Sequence, residues 1–464
     1  MCVSTQLVQK EARGQIADVL VVLAVVDSLR ADAVGFGGGP VRTPTLDQLA
    51  ASGVQFESAY ASAAWTVPSL MSITTGTFAH RVGVGRWRHP FPARRATLQS
   101  AFAAAGFEVC TAVHNRRWSF VNTGQRGRVV DSQDPDAVRE AFRAPPGVDR
   151  FVMLHHWWTH LPYVNRALPR KEWKRTCDAA IEELGRDPTS IPKHRAAYHR
   201  TVEFFDRELL PSYLEAAGDQ DILLAVTGDH GENWGSSVPE GRVVEHMYDL
   251  HGRWLTDETL QVPLVFWSSR SDLAAGRRSG LVRGVDVAPT LAGLAGVPWP
   301  GAETRGPSET RVELGGELQL DGVDLSDVLR RGGSAPAADA LTVTTANAVK
   351  PPKYPEKGPA MWRRFSLRTP ERRYVYDGVD GTRDVDGASR LHRALGLARW
   401  TERDVWDRLA GERAAAVGAK TLPKSLFPRF EDEDEDENID AGVELGEDEA
   451  AALEQQMRLL GYMD

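Results

Sequence analysis

Eight consecutive apolar residues, VLVVLAVV over Val19–Val26, constrain this chain more than any other stretch. The run is too short to span a bilayer and shows no polar alternation. That is the pattern of a strand buried on both faces, as at the centre of a parallel sheet. It passes directly into Asp27-Ser28-Leu29-Arg30. In open α/β sheets ligands gather beyond the carboxyl ends of the strands, so Asp27 is a candidate ligand; a turn cap is the plainer alternative.

The pattern recurs along the chain. Residues 44–53 (PTLDQLAASG) have helical spacing and a Gly stop, with an apolar strand at 54–60 behind them. Residues 98–106 spell another helix closed by Gly, and 107–113 another short strand. A strand at 151–154 leads into HHWWTHLPY (155–163), whose aromatics and Pro predict a loop carrying three histidines. Residues 195–218 predict one long amphipathic helix, with Tyr198, Val202, Phe205, Leu209, Tyr213 and Leu214 facing the core. A further buried strand, 221–226, ends in TGDHGE (227–232), where Gly228 and Gly231 permit tight backbone around Asp229 and His230. Adjacent Asp and His at a strand end offer oxygen and nitrogen to one divalent ion, although surface-turn residues read the same way. His251-Gly252 then precedes a strand reaching Phe266. Strands alternating with helices predict an α/β fold with a mainly parallel sheet covered on both faces.

Thr66 stands just ahead of Val67-Pro68-Ser69, a helix-start signal that sets its hydroxyl at the positive end of a helix. An ordinary cap has the same appearance. Later stretches, 301–315 and 331–357, are rich in Gly, Pro, Ala and Ser and predict loose connections. Residues 362–376 predict a hairpin with a Thr-Pro turn, 431–437 (EDEDEDE) a self-repelling linker, and 448–460 a short helix. The expected division is a catalytic α/β domain at 1–335, a small antiparallel C-terminal subdomain at 336–430, and an acidic tail at 431–464. No internal repeat is evident.

A net charge of −9 argues against general nucleic-acid binding, and much of it lies in the acidic run. Cys2, Cys110 and Cys177 are too few and too scattered for a disulfide framework, which suits a reducing compartment. With no basic-then-apolar leader, a cytoplasmic protein without a membrane span is expected.

Taken in order, these motifs resemble the sulfatase family of the alkaline phosphatase superfamily. VDSLRAD (26–32) is similar to the family's first metal-binding turn, and RTPTLDQLAASGVQFESAY (42–60) to the approach to its nucleophile. TVPSL…TG (66–76) matches the nucleophile motif, HHWWTHLPY the His-containing substrate loop, and TGDHGE the second metal motif. HG…DETLQVPLVF, VDVAPTLAGLAGV (285–297), LDGVDLSDVL (320–329) and the closing LLGY (459–462) resemble later signatures. The resemblance implies that Asp27, Asp229 and His230 hold one or two divalent ions (Mn, Zn, Ca or Mg), with Thr66 as both ligand and nucleophile. It implies that His160 and His251 handle the phosphoryl oxygens or the leaving group or help hold a second ion, and that His155 and Arg30 contact a small-molecule ester, an ion pair within the fold being the plainer reading of Arg30.

Three departures qualify the expected chemistry. Sulfatases carry Cys or Ser where this chain has Thr66, and oxidise it to formylglycine with the help of an Arg where this chain has Leu70. The Cβ methyl of Thr66 bars an aldehyde. Ser28 also replaces a second Asp of the metal turn. The reading is therefore hydrolysis of a phosphate ester (diester, monoester or phosphonate ester) through a Thr66 covalent intermediate. Sulfuric ester hydrolysis, phosphoryl transfer and non-catalytic binding remain the alternatives.

Overall fold

A computed structural model describes residues 19–79, 96–114, 127–234, 244, 250–252, 254–299, 320–336, 340–346, 362–368 and 373–378. The expected features at 301–315, 431–437, 448–460 and 459–462 lie outside these residues.

The elements follow one another as β1 (Val19–Val26), α1 (Pro44–Ser52), β2 (Val54–Tyr60), α2 (Thr66–Thr75), α3 (Leu98–Ala104), β3 (Glu108–Ala112), β4 (Arg128–Val130), α4 (Pro135–Phe142) and β5 (Arg150–His156). Then come α5 (Arg170–Arg186), α6 (Ile191–Phe204), a π turn (Phe205–Leu209), α7 (Leu210–Ala216), β6 (Asp221–Gly228), α8 (Asp257–Leu260), β7 (Gln261–Val262), β8 (Leu264–Ser268) and β9 (Gly276–Arg283). The described elements close with α9 (Val287–Leu294), α10 (Ser326–Arg331) and the strands β10 (Ala340–Ala346), β11 (Trp362–Arg368) and β12 (Arg373–Gly378).

The large sheet runs β4-β3-β5-β1-β6-β8-β2-β7, with β9 beside β2. From β4 through β6 every pairing is parallel; β8 lies antiparallel to β6 and β2, and β9 parallel to β2. The fold is thus α/β with a mostly parallel sheet flanked by helices. β1 occupies the middle and every one of its residues is buried, as an uninterrupted apolar run requires. On one face Phe102 of α3 stacks on Phe151 of β5 at 4.3 Å. On the other, Tyr198 of α6 reaches the turn after β1, accepting from Arg30 N at 3.0 Å and donating to Ser28 O at 2.9 Å.

Two expectations are corrected. The helix expected at 195–218 starts at Ile191 and is interrupted by the π turn at Phe205–Leu209. Pro211 has no N–H to return to the carbonyl four residues back, so the ladder widens just ahead of it. The same turn aims the Asp206 carboxylate at the first amides of α1, accepting from Leu46 N at 2.7 Å and Thr45 N at 3.2 Å. The Gly- and Ala-rich stretch 331–357, expected as loose connection, contains β10, which pairs antiparallel with β11 in a β10-β11-β12 sheet. The strand itself, ALTVTTA, is rich in β-branched residues; the Gly-, Pro- and Ala-rich flanks hide it. Thr342 Oγ1 ties this sheet to the larger one by donating to Ala61 O at 2.8 Å. Among the described residues no helix is long and apolar enough to cross a membrane.

Candidate active site at the carboxyl edge of the sheet

The three central strands β5, β1 and β6 end together. Val25 is in register with His155 on one side and Thr227 on the other, so Asp27 and Asp229 emerge at one level and His155 lies two residues lower, beside Val25. Ser28 takes a left-handed turn (φ 55°) and bridges both carboxylates. Its N–H donates to Asp229 Oδ1 at 3.0 Å and its hydroxyl to Asp27 Oδ1 at 2.8 Å. His230 N adds a second bond to Asp229 Oδ1 at 2.8 Å. With each Oδ1 engaged, the two Oδ2 atoms face a common point. Thr66, in the first turn of α2, puts Oγ1 3.3 Å from Asp27 Oδ2 and 3.3 Å from His230 Nε2. His230 Nε2 lies 3.4 Å from Asp229 Oδ2, and His155 Nε2 lies 3.5 Å from Asp229 Oδ2 and 3.3 Å from Asp27 Oδ2. Five polar atoms thus close a circuit inside the protein, and all five residues are fully buried.

Close backbone approach makes this arrangement possible. A Cβ on Gly231 would collide with the Glu258 carbonyl, and one on Gly228 would come within 2.5 Å of Leu29 O. The Ser69 hydroxyl, one turn along α2 from Thr66, donates to the Asp229 carbonyl and ties the helix start to the β6 loop.

Around this centre three imidazoles are fixed through their Nδ1 atoms. His230 Nδ1 faces Gly231 O at 2.8 Å, His160 Nδ1 faces Leu161 O at 2.7 Å, and His251 Nδ1 faces Glu232 Oε1 at 2.9 Å. Nδ1 must be the donor to a carbonyl, so whenever either ring is neutral its Nε2 carries the lone pair. The His251 ring sits 4.7 Å from His230 and 5.1 Å from His160. His160 also stacks on Trp157 at 4.1 Å. Burial pushes His160 down to about 4, against the pull of Asp27, so its ring is neutral. Burial works against a charged His251 too, but the Glu232 carboxylate, with Asp27 and Asp229 behind it, raises it above the ordinary histidine value. Glu232 stays below the usual carboxylate range despite its burial, because His251, His160 and His230 surround it. Its other oxygen accepts from Tyr163 OH at 2.9 Å, and Tyr163 OH accepts from Trp234 Nε1 at 2.9 Å.

The residues singled out in the sequence therefore divide. Asp27, Thr66, Asp229, His230, His160 and His251 converge. His155, expected to contact substrate, lies between the two carboxylates instead. Arg30 is engaged elsewhere: it pairs with Asp32 through Nε (2.7 Å) and Nη2 (2.6 Å), donates Nη1 to Glu232 O at 2.8 Å, and lies 5.0 Å over Trp234. It braces the loop carrying Glu232 from behind the site. His156, the next residue of β5, points to the opposite face against Phe205 at 4.5 Å, and burial pushes it down to about 3. Leu70 is fully buried in the main hydrophobic core. Tyr163 was missed as a partner of the site; Glu232, beside the Asp-His pair, reads in the sequence as a residue that caps or supports the loop.

The donor set fits a divalent cation. Among the described residues Asp229 Oδ2 is buried without a hydrogen-bond partner, and Asp27, His155 and Asp229 offer atoms all within 4.8 Å of one another. Two carboxylates enclosed this way demand positive charge. Without an ion that charge falls to His155: burial opposes it, but Asp229 and Asp27 hold the imidazole up to about 9.

Known proteins resemble the chain in the same region. Bovine (Bos taurus) arylsulfatase A is 23% identical to it over 68% of each chain. A phosphonate monoester hydrolase from Silicibacter pomeroyi has the same fold, with a TM-score of 0.56 at 16% identity over 88% of this chain and 96% of that one. A putative sulfatase from Bacteroides thetaiotaomicron gives 0.57 at 16% identity over 89% and 96%. The family model described as Sulfatase matches residues 19–297, from the first strand past the last of the converging residues. The chain belongs to the sulfatase family, whose members are hydrolases that use a divalent metal.

Proposed function

We propose that this chain hydrolyses a phosphate ester (a diester, monoester or phosphonate ester) with Thr66 as the nucleophile and without formylglycine. One observation carries the reading. The Thr66 hydroxyl, in the first turn of a helix, faces Asp27 Oδ2 and His230 Nε2 at 3.3 Å, on a residue whose Cβ methyl bars conversion to an aldehyde. Sulfatase chemistry releases sulfate by elimination from an aldehyde hydrate, which a threonine cannot provide. A phosphorylated threonine needs only water to resolve it.

Asp27, Asp229 and His230 would hold the divalent ion, which when bound lowers the pKa of the Thr66 hydroxyl and screens phosphoryl charge. Thr66 Oγ1 attacks phosphorus in line, its proton leaving to water, as the bond to the leaving oxygen breaks. The N-terminal amides of α2 favour the developing negative charge. His251, held charged by Glu232, gives its proton to the leaving oxygen. The neutral imidazole then takes a proton from the water that attacks the phosphorylated Thr66, which restores Thr66 and releases phosphate, a phosphate monoester or a phosphonate, according to whether the substrate was a monoester, diester or phosphonate ester. His160, neutral with its Nε2 lone pair, orients that water.

The test is a screen of metal-reconstituted protein on p-nitrophenyl phosphate, bis-p-nitrophenyl phosphate, p-nitrophenyl phenylphosphonate and p-nitrophenyl sulfate, with Thr66→Ala alongside. Phosphoryl turnover that vanishes in the variant is expected. Dominant sulfate turnover that survives in Thr66→Ala would overturn the reading, and metal-loaded protein inert on every ester would favour a binding role.

A further inference from the structure

We propose that His155 is a fifth donor of this centre, and that it makes the site one for an imidazole-preferring transition ion such as Zn2+ rather than for Ca2+ or Mg2+. The inference rests on the metal-dependent reading above and deepens it.

The circuit of contacts supplies the geometry. Asp27 Oδ2, Thr66 Oγ1, His230 Nε2, Asp229 Oδ2 and His155 Nε2 follow one another at 3.3, 3.3, 3.4, 3.5 and 3.3 Å. Five donors bonded at about 2.1 Å to one five-coordinate centre stand about 3.0–3.6 Å from their neighbours, a range that holds every edge of this circuit. His155 occupies two of its five edges and cannot be removed without opening it.

Donor chemistry selects the ion. Calcium takes six to eight oxygens and favours bidentate carboxylates. Here both carboxylates are biased to monodentate binding, because Ser28 Oγ donates to Asp27 Oδ1 while Ser28 N and His230 N fill Asp229 Oδ1. The side chains therefore offer three oxygens, one from each of Asp27, Asp229 and Thr66, and two imidazole nitrogens. That mixture suits zinc and its neighbours and is poor for hard cations. Ser28 is central to this selection. As the residue in place of a second Asp it removes a hard oxygen donor, and by donating to both Oδ1 atoms it biases the remaining carboxylates to monodentate binding. The imidazole from β5 fills the place with nitrogen. Two carboxylates also balance a doubly charged ion without a third, while Thr66 keeps its proton.

The experiment measures binding rather than turnover. Chelator-stripped full-length protein is titrated with ZnCl2 and CaCl2 by calorimetry, and the Zn2+-loaded wild type is examined by X-ray absorption at the zinc edge. Zn2+ is expected to bind at least about 100-fold more tightly than Ca2+, with two imidazoles in the absorption fit. His155→Asn is expected to weaken Zn2+ binding roughly 10- to 100-fold and to reduce the fit to one imidazole. The double variant Ser28→Asp, His155→Asn is expected to shift preference toward Ca2+. A single imidazole in the wild type, or Ca2+ binding as tightly as Zn2+, overturns the proposal, and the absorption result stands even if the variants fail to fold. A two-imidazole zinc site in a protein that cleaves no ester would sink the phosphoesterase reading alone. Ester turnover with a one-imidazole site would sink this inference alone.

Discussion

Replacing Glu232 by Gln removes one charge and almost no volume, and the structure sets what it should cost. Glu232 accepts at both oxygens, from His251 Nδ1 and from Tyr163 OH, each at 2.9 Å, and it is fully buried. An amide has one acceptor. If its oxygen faces His251, its NH2 faces Tyr163 OH, which already accepts from Trp234 Nε1 and is left with its own hydrogen unplaced. If the amide turns round, it donates to His251 Nδ1 and forces the tautomer with a hydrogen on Nε2. Either arrangement forfeits one bond to a charged group, about 1.5–3 kcal/mol, or roughly 10- to 150-fold in rate where the bond acts in the transition state. The two phases of the reaction separate the outcomes. If Glu232 holds His251 charged to protonate the leaving group, phenyl esters, whose leaving group needs the proton, should lose far more kcat/KM than p-nitrophenyl esters, which do not. KM should change little. The assay is kcat and KM for both esters in wild type and Glu232→Gln, with circular dichroism as a check on folding. An equal loss on both esters, or a loss confined to KM, would refute the role assigned to the Glu232–His251 pair.

Three further outcomes follow from the same geometry. Tyr198→Phe leaves Arg30 N and Ser28 O buried without the hydroxyl that now serves both, and should cost about 2–3 kcal/mol in urea unfolding; a change under 0.5 kcal/mol would show that the turn relaxes freely. Asp206→Ala uncaps the start of α1 and should cost about 1–2 kcal/mol, seen as a lower urea midpoint with an unchanged slope. In metal-free protein His155 is raised from 6.5 to about 9, so the folded state holds a proton there that the unfolded chain releases. Its contribution is complete below pH 6.5 and lost as pH rises through 9, so the Tm of the apo form should fall across that window. Zn2+ competes with the same proton, so the Tm gain on adding it should grow with pH; a gain independent of pH would argue against ligation by His155.

How much of this was legible in the sequence depended on what each residue needed to be recognised. β1 and β6 needed only their own composition: a run apolar on both faces has few places to go. The end of α6 needed more, because Pro211 announces an interruption without saying how the chain absorbs it. The π turn fits a place where Asp206 must reach the amides of α1, a contact some 160 residues away. β10 was overlooked for another reason: its ALTVTTA run carries β-branched strand formers, but it sits inside a Gly-, Pro- and Ala-rich stretch whose composition hides a single strand until its pairing with β11 is seen.

The site shows the same boundary at finer scale. That Asp27, Asp229 and His230 stand at strand ends can be read directly, since the chemistry and the strand termini lie in the same few residues. The environment of each is set by strand order. β5 presents His155 and His156 to opposite faces, and nothing in HHWWTH says which face the carboxylates share. The pairing of Val25 with His155 and Thr227 decides it, turning one histidine into the neighbour of two carboxylates and the other into a neutral core residue beside Phe205. Arg30 could not be placed across the same gap, because a cation near a metal turn suits an anionic substrate or an ion pair within the fold until Asp32 and Glu232 O are seen beside it. Ser28 is the sharpest case. By residue type it is a lost ligand; by φ of 55° and two donated bonds it orients both carboxylates. A departure from a family motif therefore marks a position whose function has changed, and only the partners of the new side chain say to what.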